Sequence, residues 1–305
     1  SSDEIKRIDI ITQFDMQSEM LKVGLMTKIK SGRIYPLSEQ ANNVLNALIC
    51  NINRYGVKLL TNQIALSIDI DKIITISTDK GDIKCKNICF ATGSNATFGR
   101  DNSSIYKKLG FKVNKGLPSL SPLISKKAEQ IKGLNGVRQE AKVSLYDNKK
   151  LIATEYGEVQ FRKDGISGIV IMNMSARMRW NNINEGIIYL DFMPDYSEEY
   201  VSHLLENTIT AEYGLLNKNL MQNAVKLGVN GIKKYRLDVV GCDDFKMAQV
   251  MHGGIDLEEV DLHNMALVKY NNVFAIGEAV DVDGICGGYN LHWAFASAYN
   301  FAKGV

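Results

Sequence analysis

Glu278, Asp281, Asp283, Cys286 and Asn290 crowd one short stretch near the C-terminus, and Gly287-Gly288 sits among them. Adjacent glycines let a backbone approach a ligand closely, and the free N–H groups of a helix that starts just after them favour an electron-rich ligand edge. A turn that merely capped a core strand would need one or two polar groups, so this surplus reads as a ligand site as well as a connection. Other chemistries find less material. The four histidines (His203, His252, His263, His292) show no His-x-x-x-His or Cys/His spacing, and the five cysteines contain no Cys-x-x-Cys pair, which sets metal chemistry aside. Ser119 and Ser121 have no histidine in an interpretable motif, so serine-hydrolase chemistry is unsupported.

The elements that must position this stretch are legible around it. The apolar run Asn272 to Ile276 reads as a buried strand delivering Gly277 and Glu278, and a helix is expected to begin near Tyr289 or Asn290. A second buried strand, Asn87 to Thr92, ends at Gly93. Before it, Ala41, Val44, Leu45, Leu48, Ile49 and Ile52 recur at helical spacing, with Ser38 as N-cap and Gly56 as stop. Strands are expected at Val57 to Leu60, Ile64 to Ile70 and Ile73 to Thr78, followed by a turn at Asp79 to Asp82. This order of helix, meander and buried strand is the back half of a nucleotide-binding unit.

The middle of the chain differs. Leu117 to Leu123, with Pro118 and Pro122, reads as an extended crossover. Ala141 to Asp195 is mostly strand-like, with runs at Lys142 to Tyr146, Leu151 to Phe161, Ile169 to Met174 and Ile187 to Phe192. Helical spacing returns between Ser197 and Leu227. The expected organisation is therefore α/β: a first part of a Rossmann-like FAD/NAD(P)-binding domain over 1–112, a β-rich substrate domain inserted over 113–195, its helical element over 196–249, and the second part of the binding domain over 250–305.

Composition narrows the function classes. Lys+Arg 36 against Asp+Glu 34 leaves a net charge of +2 with no long block of either sign, so no nucleic-acid partner is expected. The apolar runs are too short for a membrane span, and an odd cysteine count without a signal-peptide pattern suits a cytoplasmic protein.

Gly277 to Leu291 closely resembles the second flavin-binding motif of the BaiN-type family of FAD-dependent oxidoreductases, which includes aminoacetone oxidase. Gly32-Arg33-Ile-Tyr35-Pro36, Ala91-Thr92-Gly93, Leu117 to Leu123, Gly165-Ile-Ser167-Gly168, Ala248-Gln249-Val250 and Gly253-Gly254-Ile255 are similar to that family's other landmarks, in order. The resemblance implies an FAD-binding α/β domain interrupted by a β-rich insertion, and a redox reaction on a small organic substrate. It implies that Gly277 and Glu278 lie near the ribityl and phosphate part of FAD, that Gly288, Tyr289, Asn290 and Leu291 place backbone amides beside the ring's pyrimidine edge, and that Asp283 and Gly287 also belong to the cofactor site. By the same resemblance Thr92 and Gly93 turn past the pyrophosphate and Ala65 reaches the adenine. Arg33 beside Tyr35 is a candidate contact for cofactor or substrate, or a surface ion pair. Cys286 is a candidate reactive thiol, or a small buried cysteine. His292 and Trp293 read as packing residues and His252 as a turn residue.

One departure stands out: Gly-x-Gly-x-x-Gly, which holds the pyrophosphate in such domains, occurs nowhere in the 305 residues, and Asn102, Ser103 and Ser104 stand where relatives are glycine-rich. The sequence therefore predicts weak or absent FAD retention, exposed apolar surface near Ala91, and self-association. The alternative function is a flavoprotein remnant acting as a binding module.

Overall fold

A computed structural model describes residues 14–98, 102–207 and 214–305. In chain order the first half contains helix α1 (Met16–Lys22), hairpin β1 (Thr27–Lys30) and β2 (Arg33–Pro36), and helix α2 (Ala41–Arg54). Then come the meander β3 (Ala65–Ile70), β4 (Ile74–Thr78) and β5 (Gly81–Cys85), strand β6 (Ile88–Phe90), and short helices α3 (Asn95–Phe98) and α4 (Ser103–Lys108). The middle runs through β7 (Val113–Ser119), β8 (Leu123–Ser125), β9 (Arg138–Asp147), β10 (Lys150–Phe161), β11 (Gly165–Ser167), helix α5 (Ile169–Trp180) and β12 (Glu185–Asp191). Helices α6 (Glu198–Asn207), α7 (Lys218–Ala224) and α8 (Val229–Lys233) precede β13 (Tyr235–Gly241) and β14 (Val250–Ile255). The chain ends with β15 (Val260–Asp261), β16 (Ala266–Leu267), β17 (Val273–Ala275) and helix α9 (Tyr289–Gly304).

Two separate cores divide these elements. β17 pairs in parallel with β6, Phe274 opposite Cys89, so segments nearly two hundred residues apart build one sheet. Trp293 and Ala296 of α9 pack with Phe90, Val273 and Ala275, and the meander contributes Ile74 to the same core. In the middle of the chain β10, β11, β8, β13, β12 and β9 close a barrel. Its core holds Val143, Leu145, Phe161, Ile188 and Leu237 together with Ile171, Met174 and Met178 of α5. Leu145 is fully buried there, so Leu145→Ala should lower stability by about 2–5 kcal/mol in urea unfolding. A loss below about 1 kcal/mol would mean that the barrel closes around the void. The crossover strand β7 pairs with β14, joining the two cores.

Several expectations need correction. Ile169 to Met174 is helix, not strand. The run is buried nearly all round, which erases the periodicity that distinguishes the two, and Gly168, at φ 109, turns the chain out of β11 into a helix start. Val57 to Leu60 forms no strand, since among the described residues no strand pairs with it, while Gly81 to Cys85, read in part as a turn, forms the meander's third strand. The α2 N-cap is Gln40 rather than Ser38, although Gly56, at φ 68, does stop the helix. The helical element is shorter than 196–249: α8 ends at Lys233, and β13 returns to the barrel between β12 and β8. The apolar stripe of α2 has no buried member, and Leu45, Leu59 and Leu66 are all more than half exposed. Periodicity marks the face that favours burial and says nothing of what covers it.

Candidate functional site

Because β6 and β17 run parallel side by side, the residues that follow them emerge at the same sheet edge, the usual place for a ligand crevice in an α/β fold. A groove of about 450 Å³ opens there, lined by Ala91 and Gly93 after β6, Gly277 and Glu278 after β17, and Gly287, Gly288, Asn290 and Leu291 at the start of α9. Ala65 and Thr92 line an adjoining concavity on the meander side. Of the residues singled out in the sequence, Tyr289 faces away into a second cavity beside Gly287 and Gly288, and Asp283 lines neither.

The floor of the groove is held by α9. Trp293 Nε1 donates to the Gly277 carbonyl at 3.0 Å, and the Gly277 N–H donates to Ser297 Oγ at 3.0 Å. The two side chains are one helical turn apart and both buried, so they fix Gly277 in its left-handed φ of 59. The sequence reading took Trp293 for packing alone. Glu278 is half-buried, and burial, with a smaller push from the Asp283 charge, raises its pKa above the usual carboxylate value. Gly288, at φ 92, stands at the N-cap of α9 and offers no side chain to the first N–H groups of the helix.

The loop between Glu278 and α9 is clamped by the inserted module. Asp283, whose side chain is only 3% exposed, accepts hydrogen bonds from Ser119 Oγ at 2.8 Å and Trp180 Nε1 at 3.0 Å, and pairs with His252 Nδ1 at 2.8 Å. Seven residues earlier on α5, Asn173 Oδ1 accepts from the Cys286 N–H at 2.9 Å, while its amide group donates to Glu155, which pairs with Arg177. One helix of the insertion therefore grips the loop at two points ahead of the double glycine, and the Asp283 carboxylate, expected at the cofactor site, is engaged by this clamp. Asn290 is likewise engaged, its amide accepting from the Gly284 N–H at 2.9 Å and donating to the Gly284 carbonyl at 3.0 Å, so its side chain closes the turn.

The clamp also brings Ser119, His252 and Asp283 together, the residue types of a hydrolytic triad, yet in an order that does not perform that chemistry. Serine and histidine both bond to the aspartate, whereas the triad needs histidine between the other two. His252, Asp281 and Asp283 also form a compact group with ligand-type atoms within 4.8 Å of one another, but Asp281 is occupied by Asn114 and the Gly253 N–H. His252 is thus a structural ion-pair partner rather than a turn residue. Burial works against its charge, but the hydrogen bond to Asp283 and the charges of Asp283 and Asp281 outweigh it and hold its pKa above the ordinary value. Cys286 lines the groove beside Gln249, and burial pushes its thiol pKa up, so it is protonated at neutral pH.

Compared with known proteins, residues 8–304 match the HI0933-like protein Rossmann domain. The chain belongs to the HI0933-like family. This family membership carries the Rossmann-like fold and places the chain among flavoprotein oxidoreductases. Within the family it is similar to the 3-dehydro-bile acid delta(4,6)-reductase of Clostridium scindens, 28% identical over 313 residues, covering 91% of this chain and 76% of the relative. It is also similar to the ribosomal RNA dihydrouridine synthases of Haemophilus influenzae, 22% identical with 96% of this chain and 80% of the relative covered, and of Escherichia coli, 22% identical with 96% and 79% covered. In this HI0933-like chain Gly93 and Gly277 line the groove without a Cβ and the uncapped start of α9 borders it, features that suit a flavin dinucleotide. Among the described residues no helix is long and apolar enough to cross a membrane.

Proposed function

We propose that this chain is an FAD-dependent oxidoreductase that reduces a conjugated double bond in a small organic substrate. The observation that carries the reading is the convergence of Gly277, Glu278 and the double-glycine start of α9 on one groove at the C-terminal ends of two parallel strands. The relatives' names support the double-bond chemistry, since a delta(4,6)-reductase and a dihydrouridine synthase both saturate a carbon–carbon double bond, while their substrates differ, a bile acid in one and ribosomal RNA in the other.

FAD, when bound, supplies the two-electron chemistry. The protein's residues do the rest. The N–H groups at the start of α9 stabilise negative charge on an adjacent ring edge by about 0.3–2 kcal/mol. Glu278 accepts hydrogen bonds from the cofactor's hydroxyls. Leu120 and Val250, from the two strands that join the cores, wall the groove and exclude water, and the Cys286 thiol keeps a proton on that wall at neutral pH.

The reading is tested by titrating the full chain with FAD while following flavin fluorescence, then supplying a chemical reductant and a conjugated enone. Saturable binding followed by substrate-dependent reoxidation is the expected result, and FAD that stays free at all protein concentrations removes the proposal. Gly287→Val should weaken FAD by roughly tenfold or more. The position has φ 136, strained for any side chain, and a Cβ would lie 3.1 Å from Arg33 Nε. Unchanged affinity would show that the double glycine lies off the cofactor's path.

A further inference from the structure

The second cavity beside the double glycine has about 360 Å³ and shares Gly287, Gly288 and Leu291 with the groove as a common wall. The rest is mostly apolar: Met16 and Met20 of α1, Val44 of α2, Phe295 of α9, and Ile34 and Tyr35 of β2. Its fixed positive charge is Arg33. On the same hairpin Lys28 and Lys30 both pair with Glu39, but among the described residues no carboxylate pairs with Arg33. Its guanidinium instead lies against Gly287, close enough that a Cβ there would sit 3.1 Å from Nε and 3.2 Å from Nη2. With no side chain at Gly287, the guanidinium reaches the boundary between cavity and groove.

An apolar chamber with one unpaired guanidinium at its inner edge selects by charge and by shape. A carboxylate matches the guanidinium's fork with two parallel hydrogen bonds, and although Thr27, Tyr35, Tyr289 and His292 also line the chamber, most of its wall is apolar and suits an apolar body attached to that carboxylate. The volume lies within the range of small-molecule pockets. We propose that this cavity is the substrate site and takes an amphipathic monocarboxylate, its apolar body among Met16, Met20, Val44 and Phe295 and its carboxylate on Arg33. The proposal rests on the oxidoreductase reading in one respect: the shared Gly287-Gly288 wall sets the bound compound next to the cofactor groove.

The test uses the full chain and decanoate as probe, below its micelle-forming concentration, with decanol as the uncharged comparison. Calorimetric titration should show saturable decanoate binding that Arg33→Gln weakens roughly tenfold or more while leaving decanol unchanged. Met20→Trp, which fills the chamber, should weaken both probes, with the urea midpoint of each variant showing that it is folded. No saturable decanoate binding, or binding indifferent to both substitutions, overturns the site. With FAD bound, decanoate should also perturb the visible flavin spectrum, and an unperturbed spectrum would separate the cavity from the reaction and overturn its role as substrate site. If FAD fails to bind while the Arg33-dependent decanoate pattern holds, the oxidoreductase reading falls and the carboxylate site stands.

Discussion

Asp283→Ala is expected to lower the unfolding free energy by about 3–5 kcal/mol, among the largest single-site losses in the molecule. The carboxylate is 3% exposed and serves Ser119, Trp180 and His252, and alanine leaves all three without their acceptor in a half-buried junction. The same substitution should change how stability depends on pH. Because the folded-state pKa of His252 is raised, the imidazolium contributes stability that is fully present below its unfolded value of about 6.5 and is lost as pH rises through the folded value. The wild-type chain should therefore lose stability above about pH 6.5 relative to Asp283→Ala, in which most of that slope is gone and only Asp281, 4.0 Å from the ring, still favours the charge. Urea unfolding of both proteins across pH 5.5 to about 8.5 measures it, and parallel curves would show that His252 does not titrate against Asp283.

Trp293→Ala should cost about 3–5 kcal/mol as well, for a different reason. The indole is 2% exposed between the sheet and α9, so its removal opens a cavity that the surrounding strand residues Val273 and Ala275 are too short to fill. It also removes one of the two donors to the Gly277 carbonyl, leaving the Val280 N–H alone to hold it. Trp293→Phe separates the two effects. It keeps most of the apolar volume and should lose only about 1–2 kcal/mol, yet it frees the Gly277 turn and should weaken FAD about as much as alanine does. If phenylalanine preserves FAD affinity, the indole N–H plays no part in shaping the groove floor.

Local features carried far in this chain. The apolar run at 272–276, the glycines at 277, 287 and 288 and the helix that begins at Tyr289 are each specified by neighbouring residues, and the structure places them as strand, turn and helix start. The ordered landmarks from Gly32 to Leu291 resemble one flavoprotein family, and the match over residues 8–304 agrees, because spacing and glycine positions are properties of the chain itself.

Tertiary structure decided what those local features hold. Helix α5 reads as strand in its first half because burial on nearly all sides removes the period by which the two forms are told apart. The grip of Trp180 and Ser119 on Asp283 spans sequence separations of 103 and 164 residues, and no local pattern encodes which carboxylate of 278, 281 and 283 will be taken up. Arg33 and Gly287 meet because the hairpin and the start of α9 fold against a common cavity, which turns a residue with two open readings in the sequence into the guanidinium at its edge. The sequence by itself determined which residues bend, which faces favour burial and which family they belong to, since these follow from side-chain chemistry and near-neighbour spacing. Which polar groups are spent on holding the fold and which remain to meet a ligand was settled only by packing, because a hydrogen bond's partner is chosen by proximity in space.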